Sequence, residues 1–133
     1  MSRLRPPEGG TTPPAAETLS GGAVVELGPI ARRVAERYFA EFPDDLERYG
    51  EAARAWCVHD TQYLLAWLIQ DARLGAPIFE RQLNWLAKLL DARGYPLARL
   101  ERHLALLAEE VAAGVDDGER LARRVRAVRP VVD

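Results

Sequence analysis

The chain has 133 residues, 48% of them hydrophobic and 29% charged, with a formal net charge of -2. That length accommodates one domain with one modest core, and the charge, of both signs mixed along the chain, leaves no basic footprint for nucleic acid and no polybasic stripe for a membrane surface. A single cysteine beside two histidines excludes an intramolecular disulfide and argues against a zinc site.

Residues 1 to about 22 hold four of the nine prolines, four glycines and several hydroxyl residues. Such a stretch cannot bury enough apolar surface to offset its ordering entropy, so a flexible tail is expected there, with one domain over 23–133. No apolar stretch suited to a secretory signal is expected at the N-terminus, and the longest apolar run, Tyr63 to Ile69, is too short to span a bilayer. A cytoplasmic protein is the expectation.

Beyond the tail no β-alternation is evident, and every periodic segment repeats at three to four residues. The first helix is expected from near Pro29 to Phe42, with Ile30, Val34, Tyr38 and Phe42 at four-residue steps, and Pro43 ends it. Asp44 and Asp45 suit the start of a short helix through Tyr49, stopped at Gly50. The second long helix spans roughly Glu51 to Leu74 and closes at Gly75; its centre is apolar almost all round, as in a buried helix. Pro77 opens the next, with core stripe Phe79, Leu83, Leu86 and Leu90 and a stop at Gly94. Pro96 opens another, with Leu97, Leu100, Leu104, Leu107 and Val111 on one face. Leu121, Val125 and Val128 mark a last helix before Pro130. Five to six helices of uneven length predict an all-α, globin-like fold rather than a regular four-helix bundle.

The densest chemistry lies in Cys57-Val58-His59-Asp60, followed by Tyr63, within the most apolar helix. The thiol, the carboxylate one turn on and the aromatic one turn beyond are expected on one face. Taken singly, each has a plain structural reading. A cysteine in an apolar helix is usually a small core residue. Tyr63 and Trp67, like Phe79 and Trp85, sit at ordinary core spacing. His103 borders the Leu100/Leu104 stripe as a boundary residue, Asp44-Asp45 reads as cap chemistry, and the arginines from Arg120 to Arg129 read as a solvated helix end. The only serines, Ser2 and Ser20, lie in the tail, so no nucleophilic triad exists, and no phosphate loop is present.

Together, several segments are similar to the phycobiliproteins and related bilin-binding globin-like proteins. Tyr38-Phe39-Ala40-Glu41-Phe42-Pro43 resembles the aromatic-x-x-Phe-Pro end of a phycobiliprotein helix. Gly50-Glu51 follows, then Cys57-Val58-His59-Asp60-Thr61-Gln62-Tyr63-Leu64-Leu65, like the family's Cys-x-Arg-Asp-x-x-Tyr-Tyr-Leu. Gly75-Ala76 and Leu89 through Pro96 match turn positions, so the resemblance covers about residues 30 to 115. It implies a globin fold without haem that holds a linear tetrapyrrole such as biliverdin or phycocyanobilin. Cys57 matches the thioether cysteine, Asp60 the carboxylate on the pyrrole N–H groups, and Tyr63 a packing aromatic. The family's arginine is His59 here, its second tyrosine is Leu64, and the basic residue often found before the cysteine is Trp56.

The chemistry is consistent with that implication. A long, flexible, apolar pigment needs rigid walls, for which Trp56, Tyr63, Trp67, Phe79 and Trp85 are available. Buried pyrrole N–H groups need an acceptor, and two propionates call for cations, with Arg54 and a protonated His59 as candidates. The expected role is bilin storage, transfer or support of bilin synthesis without catalysis, with bilin-synthesising enzymes or a lyase as protein partners and a homodimer as the candidate assembly. The alternative is a haem-free globin-like sensor for a fatty acid or similar apolar ligand. A bilin-processing enzyme ranks below both, and a haem protein lower still, because the two histidines do not resemble an axial pair.

Overall fold

In the computed structural model, which describes residues 12–132, the chain is all-α apart from one short hairpin. The order is β1 (Ala16–Thr18), β2 (Val24–Glu26), α1 (Leu27–Glu41), α2 (Asp44–Tyr49), α3 (Ala52–Leu74), α4 (Ile78–Ala92), α5 (Leu97–Gly114) and α6 (Gly118–Ala127).

The helices follow the apolar periodicity and break at its punctuation. On α1 the buried face is Leu27, Ile30, Ala31, Val34, Ala35 and Tyr38, three to four residues apart. Gly50, Gly75 and Gly94 each follow a helix or its last turn with positive φ, a conformation that a side chain disfavours. At about 34 Å, α3 is the longest element. It packs against α1, α2, α4, α6 and β1, and Thr61, Leu64, Leu65, Ala66, Leu68 and Ile69 are all sealed. This makes it the central helix that its all-round apolarity predicts.

Two tertiary ties hold the frame around it. The Asp71 carboxylate, near the end of α3, accepts the Phe79 backbone N–H at the start of α4 (3.0 Å) and a hydrogen bond from Arg124 of α6. Arg124 therefore belongs to an interhelical ion pair, not to a wholly solvated helix end. On the other side, Arg33 and Arg37 of α1 bond to Glu109 and Glu110 of α5 at 2.9–3.1 Å.

The all-α class expected from the periodicity holds, and the hairpin is an addition to it that lies partly within the stretch expected as a tail to about residue 22. Ala16 pairs with Glu26, Glu17 with Val25 and Thr18 with Val24. The turn closes through Leu19 N–H to Ala23 C=O at 2.8 Å, with Gly22 at φ 95°. Side chains of α3 hold this segment: Gln62 donates to the Pro14 carbonyl at 3.0 Å, Gln70 to Glu17 at 2.8 Å and Arg73 to the Thr18 carbonyl at 2.7 Å. Strands of three residues are too short for alternation to register, and their proline- and glycine-rich surroundings mask them. The earlier part of the expected tail, residues 1–11, lies outside the described residues.

Among the described residues, no helix is long and apolar enough to cross a membrane.

Candidate functional site

Helices α3 and α5 both pack on α1, and a cavity of about 370 Å³ opens between them. Five helices and one turn contribute to its wall. Tyr38 and Phe39 come from α1, Asp45 and Tyr49 from α2, and Ala53, Trp56, Cys57, Asp60 and Leu64 from α3. Leu86 and Leu90 of α4, Arg93 and Tyr95 of the turn after it, and Leu100 and His103 of α5 complete the lining. Leu64, Phe39, Leu100 and His103 are buried and form the inner surface, whereas Arg93 is exposed and Trp56, Cys57 and Asp60 are partly so. The mouth therefore lies on the Asp60/Arg93 side.

The cavity carries two polar arrangements. The first is a corner in which the Tyr38 hydroxyl donates to Asp45 Oδ2 at 2.5 Å and Arg99 donates to Asp45 Oδ1 at 2.6 Å and to Asp44 at 2.9 Å. Tyr38 and Tyr95 also share a short hydrogen bond; because Tyr38 spends its one proton on Asp45, Tyr95 is the donor. Burial pushes both phenols above their ordinary range. The expectation that Asp45 caps a helix is thus corrected: no side-chain cap forms at α2, and Asp45 is 2% exposed in an interhelical ion pair. This corner locks α2 onto α1 and α5 and sets Tyr49 and Tyr95 against the cavity.

The second arrangement joins α3 to α5. Thr61 Oγ1 donates to the Cys57 carbonyl at 2.6 Å, one turn back, and faces His103 Nε2 at 2.9 Å. His103 is not a boundary residue, as its place beside the leucine stripe suggested, but 7% exposed, and burial lowers its pKa to about 4. Burial also pushes the Cys57 thiol up to about 12, which leaves it a poor nucleophile at neutral pH. Burial raises the Asp60 carboxyl above the ordinary carboxylate range, opposed by the hydrogen bond from His59 at 3.0 Å and by the charge of Arg93.

Of the residues expected at a ligand, Cys57, Asp60, Trp56 and Leu64 meet in this cavity. Arg54 and His59 instead line a separate groove of about 530 Å³ with Arg32, Glu36, Val58 and Gln62, on the outer side of α1 and α3. Arg54 lies over the Phe39 ring at 5.5 Å and pairs with Glu51 at 3.4 Å. Tyr63 and Trp67 are outside the lining and continue a row of rings along α3, with Trp56–His59 at 5.0 Å, His59–Tyr63 at 5.2 Å and Tyr63–Trp67 at 5.6 Å. Phe79 is fully buried in the core, and Trp85 is 57% exposed on α4. The expected common face of Cys57, Asp60 and Tyr63 fails for a geometric reason. Six residues turn a helix by about 600°, which puts Tyr63 roughly 120° from Cys57, whereas Leu64, two turns on, returns to its face.

The sequence reading did not place Tyr38, Asp45, Tyr49, Leu86, Leu90, Arg93, Tyr95 or His103 at the ligand site. Five of these, Tyr38, Asp45, Leu90, Arg93 and Tyr95, fall in the segments compared above with phycobiliprotein helix ends and turns or in the adjoining cap, so proximity to those turns is the signal that could have found them. Among the described residues, no group of three or more histidine, cysteine or acidic side chains could hold a metal ion. In comparisons with known proteins, the chain matches no family model, no curated protein and no solved structure.

Proposed function

We propose that the chain is a non-catalytic binding protein with a globin-like arrangement of helices, which takes a linear tetrapyrrole into the cavity between α3 and α5. The observation that carries this reading is the meeting of Cys57, Asp60 and Trp56 at the partly exposed side of one apolar cavity with Arg93 beside them. The lining suits such a pigment. Trp56, Tyr49 and Tyr95 offer aromatic walls, and the Asp60 carboxylate offers an acceptor for pyrrole N–H groups. The propionate partner would be Arg93, since Arg54 and His59 belong to the other groove. At about 370 Å³ the cavity is at the small end of ligand sites, so the pigment's outer rings would remain at the mouth. Cys57 is the candidate for a thioether to the A ring; its raised pKa favours non-covalent binding first, with any bond formation slow or lyase-assisted.

A second reading, an apolar-ligand sensor, draws support from the same size and from the apolar inner surface ending at one arginine, which would suit a fatty-acid carboxylate. Visible absorption after mixing with biliverdin separates the two. A red-shifted, intensified band that weakens in Asp60→Asn and disappears when Leu64→Trp fills the cavity supports the tetrapyrrole. An unchanged free-pigment spectrum, with displacement of a fluorescent fatty acid instead, replaces it with the sensor. Colour that survives acid-urea denaturation in the wild type but not in Cys57→Ala would establish the thioether.

A further inference from the structure

The hydrogen atoms around Thr61 fix what His103 presents to the cavity. A carbonyl only accepts, so the single Thr61 hydroxyl hydrogen goes to the Cys57 carbonyl. Toward His103, Thr61 Oγ1 must then accept, which puts the hydrogen on Nε2. The ring is buried and neutral at physiological pH, since burial holds its pKa near 4, so Nδ1 carries a bare lone pair. Among the described residues, nothing donates to Nδ1. Among the described residues, no sealed side-chain nitrogen or oxygen lacks a partner, so Nδ1 is not sealed in, and the space that His103 lines is the cavity.

We propose that His103 Nδ1 is the hydrogen-bond acceptor of the cavity's inner wall, with Thr61 as the positioning residue that fixes its tautomer. The site then selects ligands that bring an N–H or O–H donor to their buried end. This deepens the reading of the cavity as a binding site, and in the tetrapyrrole reading the donor is a pyrrole or lactam N–H. An apolar ligand without a donor strips water from Nδ1 and returns nothing, a loss that corresponds to roughly tenfold to a hundredfold in affinity. Asp60 and His103 together present acceptors at the mouth and at the inner wall, which suits a molecule with donors spaced along its length.

The test uses the full chain with ¹⁵N-labelled histidine and three probes: biliverdin, 2-naphthol and naphthalene. The wild type should show His103 with Nε2 protonated and Nδ1 bare, and the Nδ1 signal should move when biliverdin or 2-naphthol binds but not when naphthalene does. His103→Phe, which has no acceptor to strip of water, should bind naphthalene at least tenfold more tightly than the wild type does and 2-naphthol at least tenfold more weakly. Thr61→Val, which keeps shape but removes the acceptor on Nε2, should release the tautomer and reduce the preference for 2-naphthol, and it serves where His103→Phe does not fold. A wild type protonated at Nδ1, an Nδ1 signal unmoved by both donor probes, or an equal 2-naphthol preference in wild type and variants overturns the proposal. Biliverdin binding without movement of Nδ1 overturns it while leaving the tetrapyrrole reading in place. A response to 2-naphthol with no binding of biliverdin retains His103 as acceptor and removes the tetrapyrrole.

Discussion

Replacing Arg99 by methionine should destabilise the protein far more than the loss of a surface arginine. Asp45 has a side chain only 3% exposed, and it is bonded to Arg99 (2.6 Å) and the Tyr38 hydroxyl (2.5 Å). Without Arg99 a nearly sealed carboxylate retains one neutral donor. Breaking a buried pair on one side costs about 3–5 kcal/mol. Arg99 is itself 23% exposed, so water reaches the site and the low end of that range, about 3 kcal/mol, is expected. For a chain of this size that is roughly 10 °C in melting temperature. Urea unfolding at pH 7 followed by far-UV circular dichroism measures it. The decisive comparison is Arg99→Met/Asp45→Asn, which removes the stranded charge but keeps a group that can bond to Tyr38. The double variant should be more stable than Arg99→Met by about 1 kcal/mol or more, a sign of coupling between the two positions. A loss below about 1 kcal/mol in Arg99→Met, or a double variant as unstable as the sum of its parts, would refute the argument that Asp45 is a dependent buried charge.

Three further outcomes follow from separate sites. Gly118→Ala should be destabilising by about 1–3 kcal/mol in the same urea assay, because a Cβ there would meet the Val111 carbonyl oxygen at 2.1 Å, which is backbone and cannot turn aside; a neutral result would mean that α5 and α6 pack less closely. Cys57 should react with iodoacetamide at pH 8 about a thousandfold more slowly than an ordinary thiol, since its pKa rises from 9.0 to about 12; labelling within tenfold of the urea-unfolded chain would contradict this. His103 is lowered from 6.5 to about 4 in the fold, so the unfolded chain binds the extra proton first. Full stability is therefore present above pH 6.5, and about 3 kcal/mol is lost as pH falls from there to about 4. Subtracting the pH profile of His103→Phe isolates that loss from the carboxylates, and identical profiles would show that His103 is not held neutral.

How far the fold could be read from the sequence depended on whether a residue's partner was local. Pro43, Gly50, Gly75, Gly94 and Pro96 act on their own backbone, so the six helices and their breaks were legible to within a few residues. Cys57, Asp60, Trp56 and Leu64 could be grouped because they share one helix, although the angular position of Tyr63, Arg54 and His59 around α3 was read too loosely to separate cavity from outer groove. Asp45 and His103 were misread for another reason. Their partners, Arg99 and Thr61, stand 54 and 42 positions away, and nothing in the local pattern distinguishes a carboxylate that caps a helix from one that meets an arginine across the core. Composition similarly hid the hairpin, whose pairing rests on backbone hydrogen bonds that any residues but proline can make.

The hairpin also determines where the chain can be cut. Shortening it to residue 22, where composition changes, would remove β1 and leave β2 with a bare row of backbone donors and acceptors beside the start of α1. It would also release Gln70 and Arg73 from Glu17 and Thr18 on the surface of α3. An exposed strand edge next to freed side chains invites pairing with a second copy, so a dimer seen only in such a shortened form would report the cut and not the protein.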